Sequence, residues 1–176
     1  MVVTVASLPR GGTAGDPVWD RPAHVQTVET RRIPDDAVPA AAKTHNYLNG
    51  ILARLDLRGT GADEALLCAT EGSLAEGATS NLFFVEDGAL RTPATDVGLL
   101  PGITRNVVLD LAREMDVPVE TGRYDLARLT DATEVFLTNS TWEVRPVGRL
   151  DGVEREVGPV TRRLRRRFEE RVDRLY

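Results

Sequence analysis

Lysine is all but missing from this 176-residue chain: of 22 Lys+Arg, 21 are arginine, and Lys43 stands alone. Cysteine is as scarce. The single Cys68 cannot close a disulfide within the chain, which points to a reducing, cytoplasmic setting. The two histidines, His24 and His45, are not at ligand spacing with a cysteine or a carboxylate pair, so no metal site is expected. Positive charge is in deficit. A net charge of -5 argues against the basic face that nucleic acid requires. No apolar window approaches the ~20 residues of a membrane span. The N-terminus lacks the basic-then-apolar layout of an export signal. What is left, with 41% hydrophobic residues, is an ordinary globular chain: one domain, or one domain plus a fragment.

The solitary lysine has two explanations. A coding bias toward arginine would leave one survivor by chance. Alternatively, the chain keeps one amine that can lose its proton. Arginine cannot do that, whereas a desolvated lysine falls from ~10.4 towards neutrality and serves as nucleophile or base. Lys43 lies in Ala40-Ala41-Ala42-Lys43-Thr44-His45-Asn46-Tyr47-Leu48. There a small-residue run opens into an amphipathic pattern that predicts a helix from about 41 to 57, with Tyr47, Leu48, Ile51, Leu52 and Leu55 on one stripe.

Residues 2–6 read as a short strand, and 8–22, rich in Gly and Pro, as a linker. A strand is expected over 24–32, with Val25, Thr27 and Val28 as buried candidates, and another over 64–70. Residues 81–85 and 89–92 flank Glu86-Asp87-Gly88, a hairpin signal. A helix over 102–115 turns Ile103, Val107, Val108 and Leu111 inward. Strands follow at 117–120, 134–138, 143–147 and 153–157, with a short helix at 125–129. A terminal helix over 161–175 aligns Leu164, Phe168, Val172 and Leu175. Hairpins mixed with crossovers give a mixed α/β (α+β) sheet domain and exclude a doubly wound parallel one.

Three further stretches can carry chemistry. Leu99-Leu100-Pro101-Gly102-Ile103-Thr104-Arg105 feeds a loop into a helix. The free N–H groups of Gly102, Ile103 and Thr104 and the positive helix end suit a phosphate, although a plain Pro-Gly helix entry reads the same way. Asn139-Ser140-Thr141 offers more donors, or is an ordinary polar turn. Leu74-Ala75-Glu76-Gly77-Ala78-Thr79-Ser80-Asn81 sets one carboxylate among small residues, read as a loop between a strand and a hairpin. Such a carboxylate beside a pyridine nitrogen keeps it protonated and makes the ring an electron sink. Glu71 is a competing solvated glutamate. The run Arg162-Arg163-Leu164-Arg165-Arg166-Arg167 resembles a nucleic-acid patch. Glu169, Glu170 and the apolar spacing favour a packed helix with a charged outer face.

Lys43-x-x-Asn46, then Glu76-Gly77-x-x-x-Asn81-Leu82-Phe83, then Leu100-Pro101-Gly102-Ile103-Thr104-Arg105, in this order and at these separations, resemble the large domain of class IV aminotransferases. These are fold type IV pyridoxal-phosphate enzymes, among them branched-chain and D-amino acid aminotransferases and aminodeoxychorismate lyase. The resemblance covers about residues 1–152. It implies pyridoxal 5'-phosphate as cofactor, with Lys43 as the Schiff-base lysine and proton shuttle. It implies that Glu76 pairs with the pyridine nitrogen and Tyr47 touches the phenolic oxygen. Leu100 resembles the apolar residue under the ring. Gly102, Ile103 and Thr104 match the phosphate cup, and Ser140, with Thr141 beside it, falls where a phosphate-binding threonine is common.

The resemblance implies an aminotransferase acting on an amino acid and 2-keto acid pair, in a homodimer. The rivals are a lyase making 4-aminobenzoate and a truncated, inactive cofactor-binding remnant. The family's small domain is expected to be largely missing. Residues 1–23 would be its last strand plus the linker, and 24–176 the large cofactor-binding domain. With the small domain goes an arginine that normally grips the phosphate. Trp142 replaces a small residue and would reshape the pocket. The Lys43-x-x-Asn46 spacing is closer to the lyase and D-amino acid branches.

Overall fold

The computed structural model describes residues 19–175. The expected strand at 2–6 and most of the expected linker lie outside them. From Trp19 onward the chain packs on the domain. The Trp19 indole N–H donates to the Trp142 carbonyl at 3.1 Å, and the Arg165 guanidinium lies 4.7 Å from the Trp19 ring centroid.

Nine strands form one mixed sheet. They are β1 (Ala23–Thr27), β2 (Glu64–Cys68), β3 (Leu74–Gly77), β4 (Asn81–Glu86), β5 (Ala89–Pro93), β6 (Val119–Gly122), β7 (Glu134–Asn139), β8 (Glu143–Leu150) and β9 (Val153–Glu154). The order is β3-β2-β1-β8-β7-β4-β5-β6, with β9 paired to β8. β1 runs parallel to both β2 and β8, and β5 parallel to β6; the other pairings are antiparallel. This is the mixed architecture the pattern of hairpins and crossovers predicts. The sheet curls: Leu74 N–H donates to Tyr124 O at 2.7 Å, which ties β3 to the segment after β6.

Side-chain alternation splits the core by face. Leu82, Phe84, Val135 and Leu137 point into a cluster with Val25, Leu66 and Leu74. Phe83, Val85 and Phe136 point the other way, where α2 (Ile103–Glu114) and α4 (Pro159–Asp173) cover them with Val108, Leu111, Leu164 and Phe168. Phe83 and Phe136 stack across β4 and β7 with centroids 4.9 Å apart. α4 is the packed helix expected of the arginine-rich tail. Leu164 and Phe168 are buried, and Arg165 and Arg167 pair with Glu169 and Glu170. Leu175, placed on the buried stripe from sequence, is 74% exposed because the helix has already ended at Asp173. A short helix, α3 (Ala127–Asp131), closes the inner cluster through Leu129.

The helix expected from 41 to 57 is much shorter. α1 spans Leu48–Leu55, and the stretch 40–47 is a series of turns closed by Ala42 N–H to Pro39 O and Tyr47 N–H to His45 O. Its predicted apolar stripe is not the buried one: Tyr47, Leu48, Ile51, Leu52 and Leu55 are all exposed. The face that docks is the small one. Ala53, with Leu57 just beyond the helix, packs against Val28, Ala65 and Leu67. Gly50 comes so close that a Cβ there would stand 3.1 Å from the Ala78 carbonyl oxygen. Ile103 is a second reversal. At the first turn of α2 it is 82% exposed, whereas Val108 and Leu111 are buried as expected. Among the described residues no helix is long and apolar enough to cross a membrane.

Candidate functional site

A cavity of about 540 Å³ opens where four segments converge. They are the 40–47 turns with the start of α1, the β3 strand and the turn after it, the loop into α2, and the C-terminal end of β7. Each brings one kind of chemistry.

Glu76 belongs to β3 and not to a loop. Small neighbours and Gly77 suggest a loop in sequence, but residues 74–77 pair antiparallel with β2. The strand leaves the Glu76 side chain only 11% exposed. Its Oε2 accepts the Leu100 N–H at 3.1 Å and the Asn81 side-chain amide at 3.4 Å. Its Oε1 stands 2.8 Å from Arg32 Nε. Burial pushes the Glu76 carboxyl up to about 7, and the Arg32 charge, the Leu100 N–H and Lys43 pull against that rise. A second buried carboxylate, Glu64, shapes the turn behind it. Glu64 Oε2 accepts from the Thr79 N–H and from the Thr79 and Ser80 hydroxyls, and burial raises its acid as well.

The loop into α2 forms a cradle. Asn81 donates to Leu100 O at 2.8 Å and so fixes the loop to β4. A Cβ on Gly102 would stand 2.2 Å from Asn81 Oδ1, so a side chain there would push the Asn81 amide off its bonds to Glu76 and Leu100. Gly102 is the N-cap residue, and no side chain caps the helix. The first N–H groups of α2, with the Thr104 hydroxyl, therefore face the cavity as donors at the positive helix end. At the end of β7, Thr138 is buried and its hydroxyl has no hydrogen-bond partner among the described residues, although Thr138 lines the cavity wall.

Lys43 lies on the turns at the cavity mouth, with Tyr47 beside it. Lys43 is exposed, so the desolvation that its solitary status suggested is not supplied by burial in the described residues. Arg32, Lys43 and Arg54 put three cations on the lining against the carboxylate of Glu76. An anionic guest is what such a wall attracts.

Comparisons with known proteins agree with this geometry. The family model described as amino-transferase class IV matches residues 1–150. The chain belongs to the class IV aminotransferase family. A putative branched-chain-amino-acid aminotransferase of Methanocaldococcus jannaschii is 38% identical over 147 residues, spanning 82% of this chain and 51% of that protein. Among solved structures, the branched-chain aminotransferase of Thermoproteus uzoniensis with norvaline superposes with a TM-score of 0.83 at 31% identity, over 85% of this chain and 51% of that one. The branched-chain amino acid aminotransferase of Thermobaculum terrenum, in its PLP-bound form, gives a TM-score of 0.83 at 36% identity, over 87% and 52%. The chain thus spans about half the length of the relatives it matches.

As a class IV aminotransferase domain, the chain brings eight of the nine expected residues to one cavity: Lys43, Tyr47, Glu76, Leu100, Gly102, Ile103, Thr104 and Ser140. Thr141 does not line it. Its N–H and hydroxyl both turn back to Asn139 Oδ1 at 3.0 Å, in a turn that Trp142 N–H completes. Trp142 packs against the inner cluster and under Arg145, 4.8 Å from its ring centroid, and is not on the lining either. The sequence reading missed Arg32, Arg54 and Thr138. The two arginines carry no local signal in a chain so rich in them. Thr138 could have been found as the last buried residue of a strand running into the polar turn.

Proposed function

We propose that this chain is the cofactor-binding part of a pyridoxal-phosphate-dependent aminotransferase acting on an amino acid and 2-keto acid pair, of the branched-chain type that its relatives' names carry. The observation behind the proposal is one cavity that holds a solitary amine, a buried carboxylate and an uncapped helix start. The residues fit the cofactor. The orphaned Thr138 hydroxyl, the glycine cradle at 102 and the bare N–H groups of α2 are the donors a phosphate needs. Residues 24–176 are the cofactor-binding domain.

Ile103 and Thr104 would hold the phosphate through backbone N–H groups, with the Thr104 and Ser140 hydroxyls. Glu76 would accept the ring N–H, Tyr47 would face the phenolic oxygen, and Leu100 would lie under the ring. Bound there, pyridoxal phosphate supplies an electron sink for the bonds of the substrate α-carbon. Lys43 would attach it covalently through Nζ. With its Nζ free, Lys43 would carry the proton to and from the α-carbon. We also propose a cytoplasmic homodimer. The buried free thiol of Cys68 and the exposed apolar face of α1 support that reading.

The test is spectroscopic. The protein mixed with pyridoxal phosphate is expected to develop a visible absorption band that Lys43→Ala abolishes and that sodium borohydride bleaches, by reducing the C=N bond and leaving the cofactor fixed to Lys43 Nζ as an amine. Leucine and 2-oxoglutarate should then turn over. Absence of the band in the unaltered chain would sink the reading.

A further inference from the structure

Arg32 stands on the chain after β1, where it has left the sheet. Its backbone N–H still donates to Cys68 O at 2.9 Å. Its side chain is spread over three elements. Nε donates to Gly98 O at 3.1 Å, on the loop that leads to Leu100. Nη1 reaches Asn49 Oδ1 at 3.3 Å, in the first turn of α1, and Asn49 in turn donates to Arg31 O at 2.8 Å. Nε also lies 2.8 Å from Glu76 Oε1, with both side chains largely buried.

The direction of these contacts matters. The Nε–H is aimed at the Gly98 carbonyl, so Glu76 Oε1 has a positive charge beside it yet accepts no hydrogen bond among the described residues. Both of its protein donors, Leu100 N–H and the Asn81 amide, are on Oε2. A carboxylate offers about four acceptor positions, so Oε1 keeps its own for a guest. The charged groups that act on Glu76 are the cations Arg32 and Lys43, which favour its charged form, and Glu64, which opposes it. Of these two cations, Arg32 is the one tied at fixed distance.

We propose that Arg32 is a positioning residue of this site: anchored to Gly98 and Asn49, it aims Glu76 and favours its charged form while leaving Oε1 open to accept the N–H of a heteroaromatic cation. The inference rests on the cofactor reading for the identity of that cation, and on the geometry of the protein alone for the action of Arg32 on Glu76.

The two are tested apart. In the cofactor-free chain, the side-chain carboxyl carbon of Glu76 is followed by 13C NMR against pH, assigned with Glu76→Gln. Arg32→Met keeps an apolar stem and removes the charge. It should raise the Glu76 titration midpoint by about one unit or more. Arg32→Lys should leave the midpoint near that of the unaltered protein. Pyridoxal phosphate affinity should fall about tenfold or more in Arg32→Met at neutral pH and recover as pH rises through the new midpoint. Should Arg32→Met fail to fold, Arg32→Gln keeps an N–H for Gly98 and carries the same expectation. An unchanged Glu76 titration in a folded, uncharged variant overturns the proposal. A raised midpoint in a protein that never binds pyridoxal phosphate upholds the role of Arg32 and overturns the cofactor reading instead.

Discussion

Glu76 is held against its own solvation. Its acid is raised to about 7 from 4.5, with burial the largest cause. The consequence for stability has a definite sign. Between the unfolded and folded values the native state binds the extra proton, so stability falls as pH rises through that window and is flat above it. The shift corresponds to roughly 3 kcal/mol at one residue. Glu64, raised in the same direction by burial, adds to the same slope. Thermal unfolding of the cofactor-free chain between pH 4.5 and 7.5 should therefore show a falling midpoint. Glu76→Gln should flatten the slope and stabilise the protein at pH 7.5. A midpoint that rises across this range would contradict the burial-dominated account. A site that costs stability until it meets a cationic partner is what a preorganised binding site looks like.

At the scale of elements, α1 shows packing overriding pattern. The large apolar residues that mark its amphipathic stripe face outward, and Gly50 and Ala53 make the contact with the sheet. Enlarging the small side should therefore hurt more than altering the large one. Ala53→Leu should cost about 1–3 kcal/mol through overpacking. Ile51→Ser and Leu52→Ser should each stay within about 0.5 kcal/mol. Chemical denaturation of the three variants checks this, and equal losses would show that the stripe is buried after all. The same contrast explains what could be read from sequence. The hairpin at Asp87-Gly88 follows from local backbone chemistry, and both residues adopt positive φ, at 53° and 75°. α2 and α4 follow from periodicity over three or more turns. Glu76 in a strand could not be read, because β3 exists through its pairing with β2 and not through its own residues. The end of the helical pattern before Leu48 was hidden for a related reason: Ala40–Ala42 favour helix, and turns anchored at Pro39 prevail. The motif residues that meet at the cavity could be picked out in the sequence. Arg32, which reaches the cavity through long-range contacts, could not.

At the scale of the molecule, the exposed apolar face of α1 is where the proposed second copy would sit. Tyr47, Leu48, Ile51, Leu52 and Leu55 are 41% to 59% exposed, and two of them, Tyr47 and Ile51, line the cavity together with Ile103, which is 82% exposed. Single exposed apolar residues are ordinary, but a contiguous patch beside a binding site marks an interaction surface. With Lys43 and Tyr47 on the same rim, a second copy seated there would screen the amine from water and strengthen the field of the cavity on its guest. Self-association should then be apolar in origin. Sedimentation velocity should show a species of twice the chain mass that persists in high salt, since screening weakens charge contacts and not burial. Leu48→Glu combined with Leu52→Glu should return the chain to a folded monomer whose unfolding midpoint no longer rises with protein concentration, because neither side chain is part of the core. Cofactor binding separates two roles for the face. If the monomeric variant loses affinity for pyridoxal phosphate while Glu76 titrates as before, the partner completes the cavity mouth. If affinity is untouched, the face holds the assembly together and the described residues alone make the site.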